Sequence, residues 1–239
     1  MNIALIGYGK MGKAIASVAE SRGHRIVRII DIDNVNELAP EYMKDVQVAI
    51  EFTSPQTAFG NVMKCFDMSV PVVCGTTGWY DRLDEARQRC LKDRQAAIVS
   101  SNFSLGVNIF FKLNTYLARI MNRFPSYDVS IDETHHIQKL DAPSGTAITL
   151  AQGIIGEVER KTSWKLDSQD EAGVIPVHAF REGQVPGTHT VKYTSEIDDI
   201  VITHEAHSRA GLALGAVLAA EYLCGKTGWF TMDDVLQVG

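Results

Sequence analysis

Residues 3–12 read IALIGYGKMG, an apolar run followed by a turn that contains three glycines. The run Ile3–Ile6 has the composition of a buried β-strand. After the turn, apolar residues recur at the spacing of one helical face. They are Met11, Ala14, Ile15, Val18 and Ala19. The stretch therefore predicts a strand, a tight turn and a helix in direct succession.

The same alternation continues through the first hundred residues. Further strands are predicted at 25–30, 46–52, 70–74 and 96–100, with helical patterns at about 55–67 and 80–93. Strands that alternate with helices form βαβ units and a parallel sheet. Because crossovers are right-handed, we predict an α/β fold with a doubly wound, Rossmann-type sheet.

The pattern changes after Phe103. A long helix is predicted over 106–121, and its apolar stripe consists of Phe110, Leu113, Leu117, Ile120 and Met121. Residues 127–133 alternate between apolar and polar, which is typical of a half-exposed antiparallel strand. A helix near 147–158 and strands near 174–181, 188–195 and 199–206 follow. We therefore predict a second, α+β domain with a mostly antiparallel sheet.

The glycine turn has the context of a dinucleotide-binding site. Gly7, Gly9 and Gly12 form a G-x-G-x-x-G pattern between a strand and a helix. Gly7 permits the tight turn, Gly9 lets the backbone approach a pyrophosphate, and Gly12 lets the helix pack on the strand. The phosphates would meet free N–H groups at the helix N-terminus. The expected binding residues here are Gly7, Tyr8, Gly9, Lys10, Met11 and Gly12.

Asp31 ends the second predicted strand, where an acid would accept hydrogen bonds from the adenosine ribose. It is followed by Ile32 and Asp33 rather than by a basic residue. A 2′-phosphate would meet negative charge there, so NADH is favoured over NADPH. Arg25 and Arg28 on the same strand leave NADPH open.

Polar residues follow two more of the predicted strands. Ligands of doubly wound folds bind at the carboxyl ends of the strands, so these residues would line the nicotinamide and its ribose. The alternative is a plain turn at each position. The residues are Gly75, Thr76 and Thr77 after the fourth strand, and Ser100, Ser101, Asn102 and Phe103 after the fifth.

Residues 133–147 carry a concentrated set of basic groups ahead of a helix. The basic residues are His135, His136 and Lys139. Asp141 is expected to cap the helix and Pro143 to lie in its first turn. Gly145 and Thr146 would present N–H groups at the positive helix end. Together these groups predict a local site for a small substrate with one or two carboxylates, with a solvated basic loop as the alternative.

We predict no metal site. The chain has no H-E-x-x-H motif, and no cysteine lies near the basic stretch. His204 and His207 form an H-x-x-H pattern, but on a strand they would face opposite sides. We therefore expect them to be surface or interface residues. By the same rule, Glu133 and His135 would share a face if their strand continues.

The chain of 239 residues carries 23 Lys and Arg against 29 Asp and Glu, a formal net charge of −6. This balance argues against a nucleic-acid-binding protein. Four separated cysteines without a C-x-x-C pair favour a reduced compartment. With no apolar stretch long enough to cross a membrane and no leader sequence, we expect a cytoplasmic protein without a membrane partner.

Residues 133–147, ETHHIQKLDAPSGTA, closely resemble the signature of the dihydrodipicolinate (4-hydroxy-tetrahydrodipicolinate) reductase family, E-x-H-H-x-x-K-x-D-A-P-S-G-T-A, at every fixed position. Further short segments also resemble the family, so the resemblance extends over nearly the whole chain. They are 75–78, 102–104, 181–183, 185–188 and 207–209. Two departures are a first loop one residue shorter than the family's G-x-x-G-x-M-G and a short stretch between Asp31 and Phe52.

The resemblance implies reduction of the cyclic product of pyruvate and aspartate semialdehyde to tetrahydrodipicolinate, with NADH or NADPH, in lysine and diaminopimelate synthesis. His135 matches the family's proton donor and acceptor, and Lys139 matches its proton donor. His136, Gly145 and Thr146 match contacts to the substrate carboxylates, and we include Ser144 in that set. Arg209 is assigned to the cofactor site. The family is commonly tetrameric, so a homotetramer is expected.

We therefore assign 1–105 and 209–239 to a dinucleotide-binding domain, and 106–208 to a substrate-binding and oligomerisation domain. Two alternatives stay open. One is another NAD(P)-dependent dehydrogenase of a small carboxylate; an aldehyde enzyme would need a nucleophilic cysteine, for which Cys74 is the candidate. The other is a non-enzymatic NAD-sensing module, which would need neither His135 nor Lys139.

Overall fold

The computed structural model of the chain describes residues 1–168, 171–208 and 210–237. Its strands are β1 (Asn2–Ile6), β2 (Arg25–Ile30), β3 (Val48–Glu51), β4 (Val72–Cys74), β5 (Ala96–Val99), β6 (Asp128–His135), β7 (Ser163–Leu166), β8 (Val174–Arg181), β9 (Thr188–Thr194), β10 (Asp199–Glu205) and β11 (Gly228–Phe230). Its α-helices are α1 (Lys10–Ser21), α2 (Pro40–Met43), α3 (Pro55–Asp67), α4 (Leu83–Lys92), α5 (Leu105–Met121), α6 (Gly145–Ile155), α7 (Ala210–Leu223) and α8 (Met232–Leu236). Short 3-10 helices span Ile32–Glu37 and Tyr80–Arg82.

The chain forms two compact units. One contains residues 1–105 and the described residues from 210 onward, and the other contains residues 106–208. Arg209, which we assigned to the cofactor site, lies outside the described residues. Among the described residues, no helix combines the length and the apolarity that a membrane crossing needs.

The first unit is built on a six-stranded parallel sheet in the order β11-β5-β4-β3-β1-β2. Apolar residues of α1 and α7 cover one face of the sheet, and those of α3 and α4 cover the other. The doubly wound, Rossmann-type prediction is confirmed. Because the strand order reverses between β1 and β3, the carboxyl ends of these two strands flank the crevice in which such folds bind ligands.

The second unit is built on a five-stranded sheet in the order β10-β9-β6-β8-β7. This sheet is mixed rather than mostly antiparallel, because β6 pairs with β8, and β8 with β7, in parallel. Along the chain, helix α6 comes after β6 and before β7 and β8. A helical crossover of this kind brings the chain back to run in the same direction. Local alternation predicts a half-exposed strand but does not reveal the direction of its neighbour.

Helix α5 differs from prediction in the face that it buries. Phe110 and Met121 are buried, but Leu113 and Ile120 are 53% and 40% exposed. The buried row instead includes Asn114, whose side chain donates to the Leu150 carbonyl at 3.0 Å. The predicted stripe was therefore too wide, because Leu113 and Ile120 lie beside the buried row of α5 and stay exposed to solvent.

Candidate active site

The glycine turn between β1 and α1 has the geometry that its sequence predicts. Gly7 has a φ of +94°, and a Cβ there would lie 2.0 Å from the Phe52 carbonyl oxygen. A Cβ on Gly12 would lie 2.2 Å from the Gly7 oxygen. Gly9 precedes α1 with open space beside it and no side-chain cap on the helix. The first-turn N–H groups of α1 therefore lack side-chain partners and are suited to an anion.

A cavity of about 340 Å³ lies at the carboxyl ends of β1, β2 and β3. Gly7, Tyr8, Gly9 and Asp31 are among its lining residues. The Asp31 carboxylate accepts from the Ile32 N–H at 3.0 Å and so caps the 3-10 helix beside the cavity. The predicted adenosine-site residues are thus brought together.

The two arginines of β2, Arg25 and Arg28, are the residues that left NADPH open as the cofactor. Arg28 directs its guanidinium to the carbonyls of Tyr42 and Val27, at 2.7 and 2.6 Å. Neither Arg25 nor Arg28 lines the 340 Å³ cavity. The charged side chain among the lining residues of this cavity is that of Asp31, which is an acid.

A second cavity, of about 490 Å³, lies on the α1 side of the same turn. Its lining combines two predicted sets of cofactor residues, Gly9, Lys10, Met11 and Gly12 with Gly75, Thr76 and Thr77. Gly75 is required by packing, because a Cβ there would lie 2.1 Å from the Phe52 ring. The Thr76 hydroxyl accepts from the Thr53 N–H at 2.8 Å, which joins the ends of β3 and β4.

The predicted residues after β5 are arranged differently. Ser100, Ser101, Asn102 and Phe103 line neither of these two cavities. Ser100 donates to the Asn102 carbonyl at 2.9 Å, which closes the turn. Phe103 is 1% exposed and its ring lies 6.0 Å from that of Phe52. Phe103 is therefore a core residue, and its apolar ring explains why.

Cys74 does not have the environment of a nucleophile. Its side chain is fully buried and donates from Sγ to the Glu51 carboxylate at 3.0 Å. Burial first, and then the Glu51 charge, raise the pKa of this thiol far above its usual value. A buried thiol that stays protonated is inert, which argues against the aldehyde-enzyme alternative.

The basic stretch of the second unit begins at the end of β6. Glu133 and His135 are buried on one face, and His136 follows the last residue of the strand. A third cavity, of about 320 Å³, is lined by His136, Ile137, Gln138, Gly183 and Gln184. Gly145 and Thr146 do not line it. They form the first turn of α6, where N–H groups have no acceptor within the helix.

The cap of α6 differs from prediction. Ser144, not Asp141, is the N-cap, and its hydroxyl accepts from the Ala147 N–H at 3.2 Å. Helix α6 begins about one turn beyond Asp141, so the Asp141 side chain does not cap its first N–H groups. Asp141 instead accepts from Lys139 Nζ with both oxygens at 2.8 Å, and this contact holds the pKa of Asp141 below its usual value.

Glu133 joins four segments of the second unit. The Ser144 N–H lies 3.1 and 3.0 Å from its two oxygens, and Arg181 Nη2 lies 3.3 Å away. His135 Nδ1 and His189 Nε2 lie 3.6 and 3.7 Å from Glu133 Oε2. His189 also contacts the Ser144 hydroxyl at 3.1 Å.

Sequence reasoning missed His189 and left Glu133 and Arg181 without a role. His189 is one histidine on an alternating strand, and only the β6–β9 register brings it opposite Glu133. The signal in the sequence was the alternation of β9, which places His189 on the same face as Val191 and Tyr193, both of which are buried. His204, which was expected at the surface or at an interface, is half-buried opposite His189, with its ring 6.0 Å from that of Phe110.

Burial lowers the pKa of both inner histidines. For His135, burial is the main cause, the Glu133 charge opposes it, and Lys139 and Arg181 add to it. For His189, burial and the neighbouring His135 lower the pKa to about 3. His189 is therefore neutral at physiological pH.

Glu133, His135 and His189 also form a possible metal-ligand set within the described chain, with one atom from each lying within 4.8 Å of the others. The chemistry of the set does not favour a cation. Both Glu133 oxygens already accept a backbone hydrogen bond, and the Arg181 guanidinium contacts the same carboxylate. The cluster is therefore built as a hydrogen-bonded network.

Comparisons with known proteins agree over the whole chain. The family model described as dihydrodipicolinate reductase, N-terminus, matches residues 1–103, and the model for its C-terminus matches residues 106–236. A 4-hydroxy-tetrahydrodipicolinate reductase from Christiangramia forsetii is 54% identical over 99% of this chain and 98% of its own length. One from Archaeoglobus fulgidus is 36% identical over 99% of this chain and 100% of its own length.

A solved structure of dipicolinate-bound dihydrodipicolinate reductase from Paenisporosarcina sp. TG-14 has the same fold. It superposes with a TM-score of 0.80 at 23% identity and covers 97% of each chain. The glycine turn, the basic stretch before α6 and the full-length similarity lead to one conclusion: the chain belongs to the dihydrodipicolinate reductase family.

Proposed function

We propose that the chain catalyses the NAD(P)H-dependent reduction of 4-hydroxy-tetrahydrodipicolinate to tetrahydrodipicolinate, in lysine and diaminopimelate synthesis. The observation that carries this proposal is the basic stretch 133–147. It combines two histidines, a lysine and the open first turn of α6 in one unit of a chain that is similar to such reductases over its full length. The second unit is proposed as the substrate-binding domain, and the first as the dinucleotide-binding domain.

The first unit fits a nicotinamide dinucleotide. Gly7 and Gly12 leave the turn no room for side chains, and the N-terminus of α1 is open for a pyrophosphate. When bound, the reduced cofactor supplies a hydride. Asp31 would accept hydrogen bonds from the ribose hydroxyls and repel a 2′-phosphate, so we propose NADH as the preferred form.

The second unit fits a small dicarboxylate. We propose that His136 and the N–H groups of Gly145 and Thr146 bind the carboxylates. Ser144 caps the helix and holds these groups in place rather than offering its own hydroxyl, which already contacts Ala147 and His189. Charge and helix polarity together would orient the ring for reduction.

Hydride addition to a conjugated ring leaves a carbanion or enamine that must be protonated. We propose that His135 and Lys139 supply this proton. His135 Nδ1 is buried against Glu133, which leaves Nε2 as the ring nitrogen that exchanges a proton with a ligand. Lys139 is held by Asp141 at the same loop and carries a second exchangeable proton.

We also propose a homotetramer that assembles through the outer face of the β6–β10 sheet. Thr190 and Thr203 face each other there at 3.0 Å, beside Val201, which is 51% exposed. Light scattering of the purified protein tests this directly. A monomeric mass at micromolar concentration would contradict it.

The decisive test of function is oxidation of NADH and NADPH, followed by absorbance, with the substrate generated from pyruvate and aspartate semialdehyde. We expect rapid turnover, faster with NADH. Cofactor binding is measured separately by fluorescence titration. Binding without turnover would retain the dinucleotide site but overturn the substrate, and other small carboxylates would then be tested.

A further inference from the structure

Glu133 is a buried acid to which the proposed reaction assigns no part. Its side chain is 1% exposed, two residues before His135 on the same face of β6. Its partners come from separate segments: Ser144 from the start of α6, Arg181 from β8 and His189 from β9. A carboxylate buried among so many partners is either structural or placed to act on a neighbour.

The contacts of Arg181 extend the reach of Glu133 to the Lys139 loop. Besides Glu133, the Arg181 guanidinium donates to the Asp141 carbonyl at 2.6 Å and to the Lys139 carbonyl at 3.3 Å. Glu133 also accepts the Ser144 N–H with both oxygens. One carboxylate therefore fixes the backbone on both sides of the 139–144 loop.

The His135 ring is held on two sides. Nδ1 faces Glu133 Oε2 at 3.6 Å and makes no hydrogen bond of its own. On the other side, a Cβ at Gly187 would lie 3.0 Å from Nε2, so glycine leaves that nitrogen uncovered. The ring is thus oriented with its buried nitrogen toward the acid.

The charges around His135 give Glu133 a second effect. Lys139 from the loop and Arg181 from β8 are cations that disfavour the imidazolium, and His189 from β9 is neutral. The favourable charges are Glu133 and, beyond it, Asp141. Without Glu133, the cations and burial would act on His135 with little opposition.

We propose that Glu133 is a positioning residue for the reduction: it orients His135, anchors the Lys139 loop through Arg181, and stabilises the protonated imidazole electrostatically. This proposal rests on the proposed function. Glu133 itself contacts no substrate, because it is enclosed by protein groups. Its action passes through His135 and the loop.

Glu133→Gln removes the charge and keeps a carbonyl oxygen for the Ser144 N–H. Asp132→Asn is the matched control, because it removes the same charge from the adjacent residue on the opposite face of β6. The His135 titration is followed by NMR of histidine-labelled protein and assigned with His135→Gln. In Glu133→Gln we expect the pKa of His135 to fall by about one unit, whereas Asp132→Asn matches the wild type.

Turnover supplies the second readout. If protonated His135 is required, activity falls as pH rises through its pKa, so Glu133→Gln shifts this limb to lower pH. We expect kcat to fall about 10- to 100-fold, with an unchanged dissociation constant for NADH. Glu133→Asp, which retains the charge, keeps the His135 titration near that of the wild type while kcat still falls because the loop contact is lengthened.

An unchanged His135 titration in Glu133→Gln would overturn the proposal. If Glu133→Gln does not fold, Glu133→Asp decides: wild-type kcat with a lengthened loop contact would overturn the positioning role. The NMR titration needs no substrate. A wild-type protein that does not turn over would therefore overturn the proposed function while leaving the test of Glu133 intact.

Discussion

Two buried glutamates, one in each unit, have opposite surroundings. Glu51 at the end of β3 is fully buried and accepts from the Thr53 hydroxyl, from Asn61 Nδ2 at 3.3 Å and from Cys74 Sγ at 3.0 Å. All of these donors are neutral. Glu133 near the end of β6 is as well buried, but it faces an arginine and two histidines.

The difference separates a structural acid from an electrostatic one. Glu51 joins the ends of β3 and β4 next to the turns that line the 490 Å³ cavity. With neutral partners, its effect is to hold these turns in one geometry. Glu133 has titratable neighbours, so the same side chain there changes a protonation equilibrium as well as a shape. In the proposed mechanism, cofactor positioning and proton transfer are thus divided between the units.

His135→Gln tests this division most strongly. If proton transfer belongs to the second unit alone, we expect turnover to fall about 10²- to 10⁴-fold. The dissociation constant for NADH stays within about twofold, because the glycine turn lies in the other unit. Steady-state kinetics and fluorescence titration measure the two quantities. Full activity in the variant would remove His135 from the mechanism.

Truncation of each glutamate compares the two acids in stability. Glu133→Ala leaves the Arg181 guanidinium without its carboxylate, and we expect it to lower the free energy of unfolding by about 3–5 kcal/mol. Glu51→Ala leaves only neutral donors unpaired, with an expected loss of about 1–3 kcal/mol. Urea unfolding of both variants checks the order. A larger loss for Glu51→Ala would reverse the comparison.

The pH dependence of stability tests the neutrality of His189. Its pKa is lowered in the folded state to about 3 from 6.5, so folding disfavours its protonation. The stability is fully present above pH 6.5 and is lost as pH falls toward 3, by up to about 1.4 kcal/mol per pH unit. We expect His189→Gln to reduce this slope in urea unfolding. Equal slopes in wild type and His189→Gln would contradict the lowered pKa.

Asp31→Ser gives the smallest expected effect and stays within the first unit. Loss of the carboxylate removes repulsion of a 2′-phosphate, so the ratio of kcat/KM for NADPH to that for NADH rises about tenfold. Asp33→Ser removes the same charge two residues further on, from a position that does not line the 340 Å³ cavity. A similar rise in both variants would mean that net charge, rather than Asp31, sets the preference.

Five of the six strands in the sheet of the first unit were predictable, whereas β11 was missed. Each buried parallel strand is a short apolar run, and the glycine turn has a local steric requirement that the Cβ distances at Gly7 and Gly12 bear out. The second unit was less predictable from its sequence. Its alternating strands were found, but β7 was missed, and the parallel pairing of β8 with β6 was not foreseen.

The sequence by itself determined the α/β class, the glycine turn, the family and the stretch that carries His135 and Lys139, because each depends on residues that are neighbours along the chain. Only the tertiary structure decided which strands pair, that Ser144 caps α6, and that Arg181 and His189 meet Glu133. These contacts join β6, β8 and β9 through strand register. Register depends on how whole strands pack against a shared core, and no local pattern encodes it.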